Sequence, residues 1–276
     1  MNRRAALIAA SLLIATGPIP LAAAADPTKA WPFKVPDETS IPAGAMGEAI
    51  ALGRKVVTQT QTYAKAYVGN GLNCSSCHLT GGTVAWAAPF VGLWGVFPEY
   101  RSRSASVNAL QTRINDCFQR SMNGQALPND SPEMLGVLSY VWWLSQGVPT
   151  GMDVDGRGFR KITAPATPDK AKGKTIYAEK CASCHGAEGG GINNPDGSYL
   201  FPALWGPRSF NIGAGMARLN TAAAFVKANM PLGQGGTLSD QEAFDVAAFF
   251  TTQPRPDLAG KEDDWRQGGK PKDARY

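Results

Sequence analysis

Apolar positions recur at helical spacing in several separate stretches of the chain. Residues from Ala45 to Val68 favour helix and run into Gly69-Asn70-Gly71. A stripe of Val107, Leu110, Ile114, Cys117 and Ser121 predicts a helix beginning near Ser106, followed by a turn at Asn123-Gly124. Ser131, before Pro132 and Glu133, is a predicted N-cap with Pro at the first helical position, opening a helix from Pro132 to Gln146. Gly147 to Pro168 is rich in Gly, Pro and Thr, has no sustained period and reads as a linker. Helical signals resume at Lys170–Lys180 and at Thr221–Asn229, which leads to Met230-Pro231. Ser239 caps a last helix through Phe249-Phe250, and the charged, Gly/Pro-rich end from Pro254 to Tyr276 is expected on the surface.

These elements repeat in one order. Each half has a helix, a Cys-x-x-Cys-His motif, a Pro…Leu-Trp-Gly segment, a short helix, a turn and a terminal amphipathic helix. The motifs are Cys74-Ser-Ser-Cys77-His78 and Cys181-Ala-Ser-Cys184-His185, offset by 107 residues (181 − 74). A domain of ~100 residues is a comfortable size. The halves also differ. Seventeen positions separate Val57 from Cys74 (74 − 57) but four separate Tyr177 from Cys181 (181 − 177), while the second half has the longer glycine-rich loop, Gly186 to Pro202.

Composition adds bounds. With 276 residues, 43% hydrophobic and 18% charged, the chain is globular and long enough for two modest domains. Arg3-Arg4, the apolar run Ala5–Ala15 and the small residues Ala23–Ala25 form a secretory signal over residues 1–25. Gly17, Pro18 and Pro20 interrupt that run before it reaches membrane-spanning length, and no other stretch could span. Without the leader's two arginines the net charge of +5 falls to +3 (25 basic minus 22 acidic), too mild for nucleic acid but suited to an anionic substrate or an acidic redox partner. The expected location is the periplasm, where unpaired cysteines become disulfides unless otherwise used.

Four of the five cysteines have that other use. Two thioether bonds need two cysteines on one turn of chain, and the adjacent histidine supplies the proximal iron ligand, so both motifs read as c-type haem attachment. Cys74, Cys77, Cys181 and Cys184 hold two covalent haems c, and His78 and His185 ligate the irons. The predicted fold is therefore all-α: two tandem class I cytochrome c domains, 26–150 and 169–256, with a linker at 151–168 and a surface tail at 257–276. There are only two histidines, so neither haem is bis-histidine. Met230 is the expected distal ligand of the second haem, ahead of Lys227 and Met216. For the first haem, Met122 holds the register of Met230, nine residues before a cap (131 − 122 and 239 − 230). Cys117 competes with it. Arg113 lies one turn before Cys117, Ser121 one turn after, and Arg101, Arg103 and Arg120 are near in sequence. Positive charge stabilises a thiolate, and paired guanidiniums make a fork for a small oxyanion.

In Arg103, Arg113, Ile114-Asn115-Asp116-Cys117 and Arg120-Ser121-Met122-Asn123-Gly124 the sequence resembles the di-haem c-type thiosulfate dehydrogenase family, across both domains. The resemblance implies Cys117 as distal ligand of the active-site haem, Arg103 and Arg113 as anion binders and Ser121 in the pocket. It implies oxidation of two thiosulfates to tetrathionate, with electrons passing from the first haem to the second and on to a c-type cytochrome or another small periplasmic redox protein. Asn229 stands where some members carry a lysine ligand, which argues against lysine ligation here. Pro89 and Pro202 are expected to offer carbonyls to the proximal histidines. The competing readings are a di-haem electron carrier with Met122 as ligand, a cytochrome subunit of a multi-protein sulfur-oxidising complex, and a tetrathionate reductase.

Overall fold

The computed structural model describes residues 29–276, so the leader expected at 1–25 lies outside the described residues. The helices of the first half are α1 (Ala45–Thr58), α2 (Leu110–Asp116) and α3 (Pro132–Leu144). Those of the second are α4 (Lys170–Lys180), α5 (Leu219–Asn229) and α6 (Asp240–Thr251). In each half the first helix crosses the last, α1 on α3 and α4 on α6, and α5 packs on α6. The crossings are close because each has a glycine at the contact. A Cβ on Gly53 would fall 2.0 Å from the Gly136 carbonyl oxygen, and one on Gly173 would fall 2.0 Å from that of Asp245. Both glycines stand four residues before the aligned pair Val57 and Tyr177 (57 − 53, 177 − 173), so the repeat in sequence is a repeat in packing.

The helix starts follow the predicted chemistry. Ser131 Oγ accepts from Met134 N at 3.1 Å, with Pro132 at the first helical position. Ser239 and Glu242 cap each other's backbone N–H at 3.1 and 2.8 Å. Asp169 caps α4 through the N–H of Ala171 at 2.8 Å.

Elsewhere the chain departs from the predicted pattern. The helix expected to reach Val68 breaks after Thr58 and goes on only as short turns at Thr60–Tyr63 and Lys65–Tyr67, because the residues there are committed to the haem-motif loop. Thr60 Oγ1 accepts from Cys74 N at 3.0 Å, Gln61 N donates to Asn73 Oδ1 at 3.1 Å, and the Gln61 amide donates to the Asn70 and Leu72 carbonyls. Ser106 begins a strand instead of a helix. β1 (Glu99–Arg101) and β2 (Ser106–Asn108) form an antiparallel hairpin whose turn places Arg103 at its tip. Val107 is therefore an exposed strand residue, not part of the helical stripe. A second small hairpin, β3 (Ile192–Asn193) with β4 (Tyr199–Phe201), occupies the glycine-rich loop of the second half.

Two segments without sequence period take their order from backbone pairing. Residues 153–158 run beside the first half: Trp31 N donates to Asp153 O, Asp155 N to Trp31 O, Trp86 N to Gly156 O and Ala88 N to Gly158 O, all at 2.6–2.8 Å. The end of the chain, expected on the surface, stays mostly exposed or half-buried while it folds back over the first half. Trp265 is buried and donates its N–H to Arg103 O at 2.8 Å, and Asp264 takes a two-pronged salt bridge from Arg120 at 2.7 and 2.8 Å. Arg120, a half-buried cation of the first half, is the partner of this charged stretch.

There are two apolar cores, one around Ile50, Val56, Met134 and Tyr140, the other around Tyr177, Ala223, Phe244 and Ala247. The first also takes in Tyr199 and Phe210 from the second half. Replacing either crossing glycine forces the helices apart. Gly53→Ala and Gly173→Ala should each cost ~1–3 kcal/mol in thermal or denaturant unfolding, whereas Gly190→Ala, with nothing near its Cβ position, should shift stability by under ~1 kcal/mol.

Candidate active site

The first haem motif opens onto an apolar crevice of about 1250 Å³ including its mouth. Cys74, Cys77 and His78 line one wall and Cys117, Phe118 and Met122 the other. His78 Nδ1 lies 2.6 Å from the Ala88 carbonyl. The expected partner was Pro89. Ala88 supplies the carbonyl because it sits in the left-handed region (φ 47°), its own N–H held by Gly158 O. This bond fixes the ring tautomer with Nε2 facing the crevice. Two cysteines, an oriented imidazole and an apolar slot suit a covalently attached haem.

Cys117 faces that imidazole. It begins a single wide helical turn, Cys117–Ser121, in which Met122 N donates to Cys117 O (3.0 Å, i to i+5). Widening a helix end frees carbonyls, and here each has a partner. Asn211 of the second half donates Nδ2 to Gln119 O at 3.0 Å and N to Arg120 O at 3.1 Å. Asn70 Nδ2 donates to Ser121 O at 2.9 Å. The turn that aims Cys117 is thus held from the other domain. Met122, the competing candidate, is 2% exposed at the end of the same turn, packed in the first core and also lining the crevice.

Arg113 Nη1 donates to Cys117 Sγ at 3.0 Å. Burial by itself would push the Cys117 thiol up. The Arg113 guanidinium and the His78 ring outweigh it and hold the thiol down at about 7. Behind Cys117 opens a second pocket, polar and about 840 Å³ with its mouth. Glu99, Arg101, Arg113, Cys117 and Ser121 line both cavities, so Cys117 belongs to the wall between them.

The polar pocket is lined by five arginines, Arg101, Arg103, Arg113, Arg120 and Arg218, against Glu99 and Asp116. Glu99 pairs with Arg101. Arg120 is held by Asp264 and by Asp116 at 3.3 Å. Arg103 donates to Gly213 O at 2.5 Å and lies over the Trp265 ring at 4.8 Å, and burial and then Arg120 lower its pKa. Arg113, Cys117 and Ser121, on successive turns of one helical segment, and Arg103, from the preceding hairpin turn, therefore line one pocket. Arg218, Asp264, Trp265 and Asn211 were not anticipated. They come from the second half and the tail, and no motif in their neighbourhood marks them.

The second motif faces a crevice of about 1340 Å³ with its mouth, lined by Cys181, Cys184, His185, Met216 and Met230. His185 Nδ1 lies 2.8 Å from the expected Pro202 carbonyl. Lys227 is turned away. Its ammonium is spent on the Leu238 and Gly236 carbonyls and on Asp240 at 3.6 Å. Asn229 is buried and donates to Phe225 O at 3.1 Å and across the halves to Trp86 O at 3.2 Å. Leu72, Asn73 and Cys77 line both crevices, so the two haem sites share a wall.

Comparison with known proteins agrees with this arrangement. Residues 59–150 match the SoxA/TsdA cytochrome c domain and residues 170–254 match cytochrome c. Two cytochrome c domains, each with one attachment motif, carry two covalently bound haems c. The thiosulfate dehydrogenase of Marichromatium purpuratum (TsdBA, as isolated) superposes with a TM-score of 0.79 at 40% identity over 83% of this chain, which spans 50% of that one. The thiosulfate dehydrogenase of Psychrobacter arcticus is 49% identical over 88% of this chain and 74% of its own length. That of Allochromatium vinosum is 48% identical over 90% of this chain and 93% of its own. At that identity over nearly the whole of both chains, the protein belongs to the thiosulfate dehydrogenase family.

Proposed function

We propose that this protein oxidises two thiosulfates to tetrathionate at Cys117. The observation that carries the reading is that Cys117 lines both an apolar crevice suited to haem and an arginine-lined pocket. A cysteine so placed would offer its sulfur to the iron of a bound haem on one side and to an anionic substrate on the other. Met122, buried in the core beyond it, has no access to the polar side.

Arg103 and Arg113 bind the dianion and Ser121 offers a hydroxyl beside them. The sulfane sulfur of the first thiosulfate bonds to the Cys117 thiolate, giving Cys–S–S–SO₃⁻ and releasing two electrons. The sulfane sulfur of the second thiosulfate then attacks the sulfane sulfur of the conjugate. An S–S bond forms, the bond to Cys117 breaks, tetrathionate leaves, and the cysteine returns as thiolate. Arg113 stabilises that leaving thiolate, which its 3.0 Å bond already favours. When bound, the two haems would supply two one-electron acceptors; with Cys117 holding the first iron and Met230 the second, the first would lie lower in potential, which would give the flow a direction.

Met230 would hold the iron of the second haem: it lines that crevice, while Lys227 is occupied elsewhere. Leu200 and Leu232, 57% and 63% exposed, line the same crevice and support an electron exit there to a small c-type cytochrome or similar redox protein. No helix among the described residues is long and apolar enough to cross a membrane. With the leader read from the sequence, the periplasm is the working compartment.

Cys117→Ser should lower thiosulfate-dependent reduction of an artificial acceptor by at least ~100-fold, with haem content unchanged, and remove the near-infrared signature of thiolate ligation. Activity surviving that change would sink the assignment. Met230→His should lower the potential of the second haem by on the order of 0.1 V, inside the ~0.8 V range that axial ligands command, as read by spectroelectrochemical titration.

A further inference from the structure

We propose that Arg218 holds the second of the two dianions, so that the anion site is completed only across the domain boundary. The inference rests on the thiosulfate reading and extends it to a residue contributed by the second cytochrome domain. The polar pocket has to receive two dianions in turn at one sulfur, and its product carries a sulfonate at each end. A single cationic fork beside Cys117 serves one of them.

The charges of the pocket show which cation remains for the other. Arg101 is paired with Glu99. Arg120 is held by both Asp264 oxygens and by Asp116. Arg113 is committed to the Cys117 sulfur, and Arg103 to Gly213 O and the face of Trp265, with Asp264 at 3.8 Å. Arg218 is different. Its side chain lines the same pocket, its Nε is fully enclosed, and among the described residues it has no hydrogen-bond acceptor and no carboxylate partner. A buried guanidinium nitrogen without an acceptor costs free energy unless a ligand supplies one. Arg103 lines the same pocket, and its pKa is lowered by burial, then by Arg120 and in smaller part by the charge of Arg218.

The backbone explains how Arg218 comes to point there. It is the extended residue just before α5, with φ −91° and ψ 136°, and its N–H is tied to Gly215 O at 3.2 Å. Gly215 itself lines the pocket. The segment before it is anchored by Asn211 on the carbonyls of the Cys117 turn. The same clamp that shapes the cysteine turn therefore delivers Arg218 to its far side. Arg113 with Arg103 grips the sulfonate of the thiosulfate joined to Cys117, and Arg218 grips that of the incoming one.

The test uses the purified di-haem protein with Arg218→Gln and Arg218→Lys. Arg218→Gln should raise the half-saturating thiosulfate concentration at least tenfold with kcat changed less than about twofold, and leave the absorption and near-infrared spectra of the first haem unaltered. Arg218→Lys, which keeps the charge but loses the fork, should fall between. Titration calorimetry with tetrathionate on the oxidised protein should show at least tenfold weaker binding for Arg218→Gln. An unchanged half-saturation and unchanged tetrathionate affinity would overturn the assignment, as would a change confined to kcat and the haem spectrum, which marks a structural role. Should the wild-type protein fail to oxidise thiosulfate, the proposed function falls, and the tetrathionate titration still decides the role of Arg218.

Discussion

A sulfur that carries charge inside a protein must be compensated on every side, and the arrangement around Cys117 is that compensation. Arg113 reaches it from one turn earlier in the same helix. His78 faces it across the crevice, its own orientation set by the Ala88 carbonyl. The wide turn that begins at Cys117 leaves carbonyls that α-helical bonding would have used, and Asn70 and Asn211 take them up. Removing any of these would move or neutralise the sulfur, so the first domain's special chemistry depends on groups from the haem loop, the helix and the second domain together.

The second domain lacks such demands and keeps the simpler arrangement. Both domains are built on the same close helix crossing at Gly53 and Gly173. Both fix the proximal histidine through a backbone carbonyl, at 2.6 and 2.8 Å. On the distal side they diverge. The second crevice presents a thioether in an apolar wall, suited to holding an electron. The first presents a thiol backed by arginines, suited to chemistry on an anion. The shared wall of Leu72, Asn73 and Cys77 brings the two functions within one electron-transfer unit.

The interface between the domains is part of the site as well as its support. Arg120 and Asp264 lock the chain's last segment over the first domain, and Trp265 then forms a flat wall under Arg103. The cations of the pocket are spread over a hairpin tip, a helix and the second domain. A binding pocket divided in this way changes shape whenever the halves shift.

Much of this protein is legible in local sequence, because covalent haem attachment and helix capping are local. Two Cys-x-x-Cys-His motifs, the caps at Ser131 and Ser239 and the repeat in order are short-range facts, and the two-domain helical fold follows from them. The neighbourhood of Cys117 is legible for the same reason: Arg113 and Ser121 are one turn away on one helix. What the tertiary structure decided lies at long range or in the backbone. Ala88 replaced Pro89 at His78 because a chain segment more than sixty residues on holds its N–H. Ser106 became strand because β1 was there to pair with it. Arg218, Asn211 and Asp264 reached the site from roughly a hundred residues away or more, through contacts that no spacing along the chain records.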